Sequence, residues 1–287
     1  MGQMIASGIA IGALYGLVAL GIVLVFKATG VVNFAHGESV MLSTFVAFSL
    51  LRWHVPYWLT VLLTLAFAGL FGMLVERLII RRFVGKSLLV SGIATLGLYL
   101  LFGDLAVWIW GKDPFEFPGV FSPAPIDVAG VAISMADLGI VGVAAVLAGA
   151  LFGFFRYTRL GIAMQACMDN PEAAQLMGIP TRRIYSLAWA LSYMIGAVAG
   201  LLIAPVTFLH FSMMQHMLHF AFAAAVLGGI LSLPGSIVGG VIIGISANLT
   251  GAYVSSSWKE VVPFLVMLAV LIVRPHGLLA RRQMKKV

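Results

Sequence analysis

The chain has 287 residues, of which 62% are hydrophobic and only 9% charged. Soluble domains carry roughly 25% charged residues, so this composition excludes a soluble catalytic domain and describes an integral membrane protein built almost entirely of spans. The formal net charge of +7 reads as a topology signal rather than a nucleic-acid footprint, because the basic residues gather in loops between apolar runs.

In chain order, the first apolar run has no charged side chain before Lys27, which predicts a span at about 4–26. It has no basic n-region in front of it and is read as a retained span rather than a cleavable signal. The segment 30–38 then sets Asn33, His36 and Glu38 at the entry to a short apolar run, about 36–51. An ionisable residue there is costly unless partnered and is a functional candidate. The alternative is that Glu38 sits near the interface and caps the next helix. Further spans are expected at about 55–76 and 87–109, the latter with Ser91 and Thr95 as mild polar points. The loop 110–137 carries Asp113, Glu116, Asp127 and Asp137 against Lys112.

After a span at about 138–155 comes the one long polar stretch, about 156–183, flanked by Arg156, Arg159, Arg182 and Arg183. Inside it a short helix is written with its own start and stop. Asn170 is an N-cap, Pro171 suits the first helical position, and Glu172 favours the positive end of the dipole. Gly178 and Pro180 end it. Ala173, Leu176 and Met177 fall on one face, suited to a groove on a soluble partner. Cys167, the single cysteine, excludes an intrachain disulfide and its loop position points to a reducing compartment.

From Ile184 to Trp258 there is no Asp, Glu, Lys or Arg, far beyond one span of ~20 residues. The expected runs are about 184–206, 218–232, 236–254 and 260–273, with a break at Leu233-Pro234-Gly235. In the region 226–240, Gly228 and Gly229 are candidate path residues, because irregular backbone at membrane depth must line protein or a water-filled cavity. The alternative is an ordinary tight hairpin. The total is about nine segments. Runs 36–51, 218–232 and 260–273 are short for full spans and are expected to be re-entrant or buried by protein.

Three basic clusters set the sidedness. They are Arg77, Arg81, Arg82 and Lys86, then the four arginines of the polar stretch, then Arg281, Arg282, Lys285 and Lys286. All three are placed in the cytoplasm, with the 110–137 loop and the N-terminus outside. Glycines four apart (Gly12 and Gly16, Gly196 and Gly200, Gly235 and Gly239, Gly240 and Gly244) allow close helix packing, within the chain or between subunits.

No catalytic constellation is present, and no nucleotide-binding, HExxH or GxSxG motif. His216 and His219 have an i,i+3 spacing open to a metal, against the plainer reading of two interfacial histidines. A relay of His36 and Glu38 would suit a proton-coupled transporter, although the later spans are read as offering no acidic partner.

Three stretches, GALYGLVALGIVLVFKATGVVNFAHGE, RLGIAMQACMDNPEAAQLMGI, and FAAAVLGGILSLPGSIVGG with the later VRPHGLL, together resemble the membrane permease subunits of bacterial ABC importers for branched-chain amino acids, nearly end to end. The resemblance implies that the polar loop is the coupling segment that docks on an ATPase, carried here by Asp169, Asn170, Pro171, Glu172, Ala173, Ala174 and Gly178, to which the helix face described above adds Leu176 and Met177. It implies a single all-helical permease domain of about eight or nine transmembrane segments working by alternating access in the inner membrane, not an enzyme. A second related permease, two ATPases and a periplasmic binding protein are the implied partners. This chain itself is expected to bind no cofactor, with ATP and Mg used by the ATPases. Asn33, His36, Glu38, Thr95, Gly228 and Gly229 are the candidate translocation path. Leu231 departs from the family pattern, which often has glycine there, and this bears on substrate. An ion-coupled transporter and a permease for urea or short amides stand as alternatives.

Overall fold

The computed structural model describes residues 1–122, 124–128 and 131–279; the C-terminal cluster Arg281, Arg282, Lys285 and Lys286 lies outside them. Among the described residues there are eleven α-helices. The first four are α1 (Gly2–Thr29), α2 (His36–Arg52), α3 (Tyr57–Leu78) and α4 (Leu88–Trp110). An antiparallel hairpin follows, β1 (Pro125–Val128) with β2 (Val131–Ser134), in register from Pro125↔Ser134 to Val128↔Val131. Then come α5 (Met135–Tyr157), α6 (Arg159–Asp169), α7 (Pro171–Leu176), α8 (Thr181–Thr207), α9 (Met213–Gly228), α10 (Leu233–Tyr253) and α11 (Val262–Val273).

Each of the nine expected apolar runs holds one helix. Six helices are long and apolar enough to cross a membrane: α1, α3, α4, α5, α8 and α10. The three runs flagged as short are short, with 17 residues in α2, 16 in α9 and 12 in α11. The first is wrapped in protein: eleven of its residues are buried. The last is largely bare, with Ile272 85% exposed. Burial also sorts the long helices. Leu14, Leu17, Val18 and Ile22 of α1 are buried, while α3 and α4 leave Leu62, Leu70, Leu89 and Ile93 exposed. Apolar side chains bare on a long apolar helix are at home against lipid tails, and a helix apolar all round and covered on every side is a bundle core.

The chain divides into two compact units, residues 1–23, 120–144 and 217–287 in one, and 24–119 and 145–216 in the other. In the first unit α1 lies against α10 along a glycine seam. A Cβ on Gly12 would stand 2.7 Å from the Gly240 carbonyl oxygen and from Val241 Cα, so only glycine permits that approach. Gly235 and Gly239 likewise let α10 meet α9 at Gly228 and Ala224. The spaced glycines therefore serve packing within the chain. Ser232 caps α10, accepting from the Gly235 N–H at 3.1 Å. The turn between α9 and α10 needs Gly229 at φ 104°, and the tail returns to it through Leu278 N–H on the Leu227 carbonyl at 2.9 Å.

In the second unit α2 packs on α3, α4 and α8, and α3 runs along α8. Gly196 and Gly200 of α8 face Val40 and Thr44 of α2. Trp110 at the end of α4 donates to Ser49 Oγ at 2.9 Å and stacks on Phe45 with centroids 4.9 Å apart, fixing α4 against α2. Phe115 and Leu209 exchange two backbone hydrogen bonds of 2.9 Å, which pins the chain after α4 to the chain after α8.

Candidate functional site

The polar stretch folds as two helices, where the sequence announces one. The unannounced α6 starts at Thr158, whose hydroxyl accepts from the Gly161 N–H at 2.9 Å, and it buries Gly161, Met164 and Cys167 on one face. That i,i+3,i+6 spacing was the available signal, masked by the arginines around it. Burial pushes the Cys167 thiol up from its ordinary range. Next, Asn170 Oδ1 accepts from the Ala173 N–H at 3.0 Å, with Pro171 at the first helical position. Helix α7 ends at Leu176, one residue before the expected end, with Met177 as its cap. Gly178 at φ 83° then lets the Ile179 N–H return to the Ala174 carbonyl at 3.0 Å, a left-handed stop that glycine provides without strain.

The side chains of α7 divide into two classes. Leu176 and Met177 are 89% and 83% exposed, and Glu172 and Ala173 are exposed beside them. Ala174 instead is buried, as are Met164, Cys167 and Ile184 where α6, α7 and α8 pack together. Its part is to seat the helix rather than to offer a surface. Asp169 reaches Lys27 at 4.0 Å while 77% exposed, a pair of little stabilising worth. Just beyond, Glu76 of α3, fully buried, is held by Arg81 and by Ser186 of α8. This link was not anticipated from sequence.

The residues Asn33, His36, Glu38 and Thr95 come together around the start of α2. Thr95 Oγ1 lies 2.8 Å from the Val32 carbonyl, to which it donates, and accepts from the Phe34 N–H at 3.4 Å. Its job is to hold the irregular segment before α2. The His36 ring meets Tyr193 of α8 edge-on, centroids 6.0 Å apart. The Tyr193 hydroxyl faces Asn33 and Ser39 without closing a hydrogen bond to either. Both His36 ring nitrogens and both Asn33 amide atoms are buried without a hydrogen-bond partner.

Glu38 does not cap α2: no side chain caps that helix, and the carboxylate is 3% exposed. It looks toward α4, with Oε2 3.8 Å from where a Cβ on Gly103 would be, while His36 looks toward Gly196 of α8. Residues two apart on a helix face different neighbours, and among the described residues no hydrogen bond joins His36 to Glu38. Glu38 opens instead on a cavity of about 340 Å³. Tyr99, Leu100, Gly103, Asp104 and Val107 of α4 form one wall, and Lys112, Phe211 and Gln215 the rim. Gln215 Nε2 donates to the Tyr99 hydroxyl at 3.2 Å. Asp104 corrects the sequence reading, which found no acidic partner for Glu38 in the later spans. A single Asp in an otherwise apolar run gives no local signal of its neighbours.

Gly228 and Gly229 are buried in the α9–α10 turn of the other unit, where the close approach of Gly235 and Gly277 requires them; the tight-hairpin alternative describes them. Among the described residues no three of His, Cys, Asp and Glu gather as a metal-ligand set.

The family described as "Branched-chain amino acid transport system / permease component" matches residues 4–271. The chain is 32% identical to the high-affinity branched-chain amino acid transport system permease protein LivH of Escherichia coli K12, over 99% of this chain and 97% of that one. It is 29% identical to the corresponding permease protein BraD of Pseudomonas aeruginosa, with the same coverage. It is also 29% identical to the probable permease protein LivH of Methanocaldococcus jannaschii, over 91% of this chain and 87% of that one. No solved structure matches the chain.

Proposed function

Because the chain belongs to the permease-component family of branched-chain amino acid transport systems, we propose that it is the membrane subunit of an ATP-driven importer for branched-chain and similar hydrophobic amino acids. The observation that carries the energy-coupling part is α7, a capped two-turn helix whose Leu176 and Met177 are almost wholly bare. Two adjacent apolar side chains exposed on a polar segment fit a groove on a soluble partner. The partner is an ATPase, since this chain has no phosphate-binding loop of its own. ATP and Mg are used there, and this chain binds no cofactor.

The remaining organisation follows from charge. Arg77, Arg81, Arg82 and Lys86 between α3 and α4, and the arginines around α6–α7, face the cytoplasm by the positive-inside rule. The 110–137 segment and the N-terminus then face the periplasm, the C-terminus faces the cytoplasm, and the bilayer is the inner membrane. A second related permease completes the path, two ATPases drive it and a periplasmic binding protein delivers substrate. Nucleotide-driven movement of α7 is passed through α6 and the start of α8 into the spans, which alternate access around the polar residues before and within α2.

Deleting the coding sequence and following uptake of radiolabelled L-leucine tests this reading. Loss of ATP-dependent uptake, restored by the wild-type chain, is the expected result. Unchanged uptake in a strain without other leucine systems would defeat it.

A further inference from the structure

The cavity beside Glu38 combines three features. The first is a largely buried carboxyl group at the cavity: Glu38 is 3% exposed and its Oε2 has no hydrogen-bond partner. A buried carboxyl oxygen without a hydrogen-bond partner is costly to hold, and Glu38 lines the cavity wall. The second is an opposed pair of charges at the same cavity. Asp104 and Lys112 both line it, both are exposed, and neither is in an ion pair among the described residues. Asp104 sits two turns, about 9 Å, before the end of α4, on a helix whose Leu100, Leu101 and Trp108 are bare. An acid within a span is costly when it faces lipid, so the Asp104 side of α4 is expected to border water or a polar ligand. The third is an apolar contribution to the same lining from Leu100, Val107 and Phe211.

We propose that this cavity is a recognition site for one zwitterionic α-amino acid with an aliphatic side chain. The α-ammonium, with three donors, bridges the Glu38 and Asp104 carboxylates. The α-carboxylate takes the Lys112 ammonium, and the aliphatic group lies against Leu100, Val107 and Phe211. At about 340 Å³ the cavity is at the small end of ligand clefts, roughly 300–1,000 Å³, which admits one such molecule and not a peptide. The site is largely pre-formed: the Gln215–Tyr99 hydrogen bond, the Trp110–Ser49 bond and the Phe115–Leu209 pairing hold its walls. This inference rests on the transport reading above and assigns its substrate contacts.

The test is equilibrium binding of radiolabelled L-leucine to the full-length chain, purified with the partners it retains and held in nanodiscs. Two competitors each lack one charge: 3-methylbutylamine has no carboxylate and 4-methylpentanoate no amine. The site predicts that both compete at least tenfold worse than L-leucine, and that Asp104→Asn and Lys112→Met each weaken L-leucine binding by roughly tenfold or more. Because Asp104 and Lys112 are exposed, both variants are expected to elute like wild type, and Glu38→Gln adds the buried position. Wild-type affinity in both surface variants, or no L-leucine binding by the wild type, would overturn the site. Equal competition by 3-methylbutylamine would overturn the zwitterion assignment in favour of a cation. Any of these results would leave the deletion experiment on uptake standing, so failure of the site and failure of the transport reading are distinguishable.

Discussion

Arg81 grips Glu76 with two hydrogen bonds, Nε to Oε1 at 3.0 Å and Nη2 to Oε2 at 2.7 Å, and the same guanidinium reaches Ser186 Oγ at 2.8 Å. Glu76 is fully buried, at the end of α3, and Ser186 lies in the second turn of α8, directly after the α6–α7 segment. This joint ties a long apolar helix to the segment proposed to receive force from the ATPase. Removing one partner of such a pair leaves a bare buried charge and costs about 3–5 kcal/mol. Arg81→Ala is therefore expected to lower the melting temperature of the detergent-purified protein by several degrees, and Arg81→Met with Glu76→Gln to recover much of the loss. A single variant that melts like wild type would show that the joint carries no strain-bearing role.

The surface of α7 makes a different kind of prediction. Leu176→Asp with Met177→Asp touches nothing inside the chain, so stability should change by no more than about 0.5 kcal/mol. Co-purification with the ATPase and L-leucine uptake should both fall to background. Ala174→Asp should behave in the opposite way, because Ala174 is buried: an unpartnered carboxylate there costs several kcal/mol and should cost expression or melting temperature before it costs docking. Limited proteolysis of the 156–183 segment, compared across the two variants, separates the cases.

The helix boundaries of α7 could be read from Asn170, Pro171 and Gly178 because caps act locally, through the nearest backbone N–H groups and one left-handed turn. Span existence was legible for the same reason: apolar composition over a helix length decides it residue by residue. Which spans would be covered by protein depended on tertiary neighbours, as the contrast between buried α2 and bare α11 shows. The cavity was illegible for a related reason. Glu38, Asp104, Lys112 and Gln215 are scattered along the chain, and only the packing of α2 on α4 and the Phe115–Leu209 pairing bring them to one place. Taken alone, Asp104 was one acid in a greasy run, and His36 with Glu38 looked like a pair until α2 turned them to different neighbours.

The seam between α1 and α10 sets a sharp steric test. A Cβ at Gly12 meets backbone at 2.7 Å, whereas a Cβ at Gly97 meets nothing within 4 Å. Gly12→Val is expected to abolish a monodisperse protein, with overpacking and a displaced helix costing several kcal/mol. Gly97→Ala should be neutral or slightly stabilising, since alanine is the better helix former by about 1 kcal/mol. Fluorescence-detected size-exclusion of tagged variants reads both.

Cys167 supplies an internal reporter of the α6–α8 packing. Its thiol is 1% exposed and burial raises its pKa, so near neutral pH the folded protein holds the proton more firmly than the unfolded chain. The sign follows from linkage: the stability this proton contributes is present below the unfolded thiol pKa and is lost as pH rises through the folded value. Maleimide labelling of the native protein should be slow at pH 7, faster as pH rises, and prompt after unfolding in detergent. Immediate labelling at pH 7 would mean that α6 does not lie against α8 in the membrane.

The central claim is that this chain is driven by a separate ATPase through α7. It is tested most directly by purifying the full-length chain from its native membrane in mild detergent and identifying what remains bound by mass spectrometry. A nucleotide-binding ATPase and a second permease with the wild-type chain, and loss of the ATPase from the Leu176→Asp, Met177→Asp variant, is the predicted result. A stable, monodisperse wild-type chain that carries no ATPase would contradict it, and would turn attention to Glu38 and Asp104 as an ion-coupled pair.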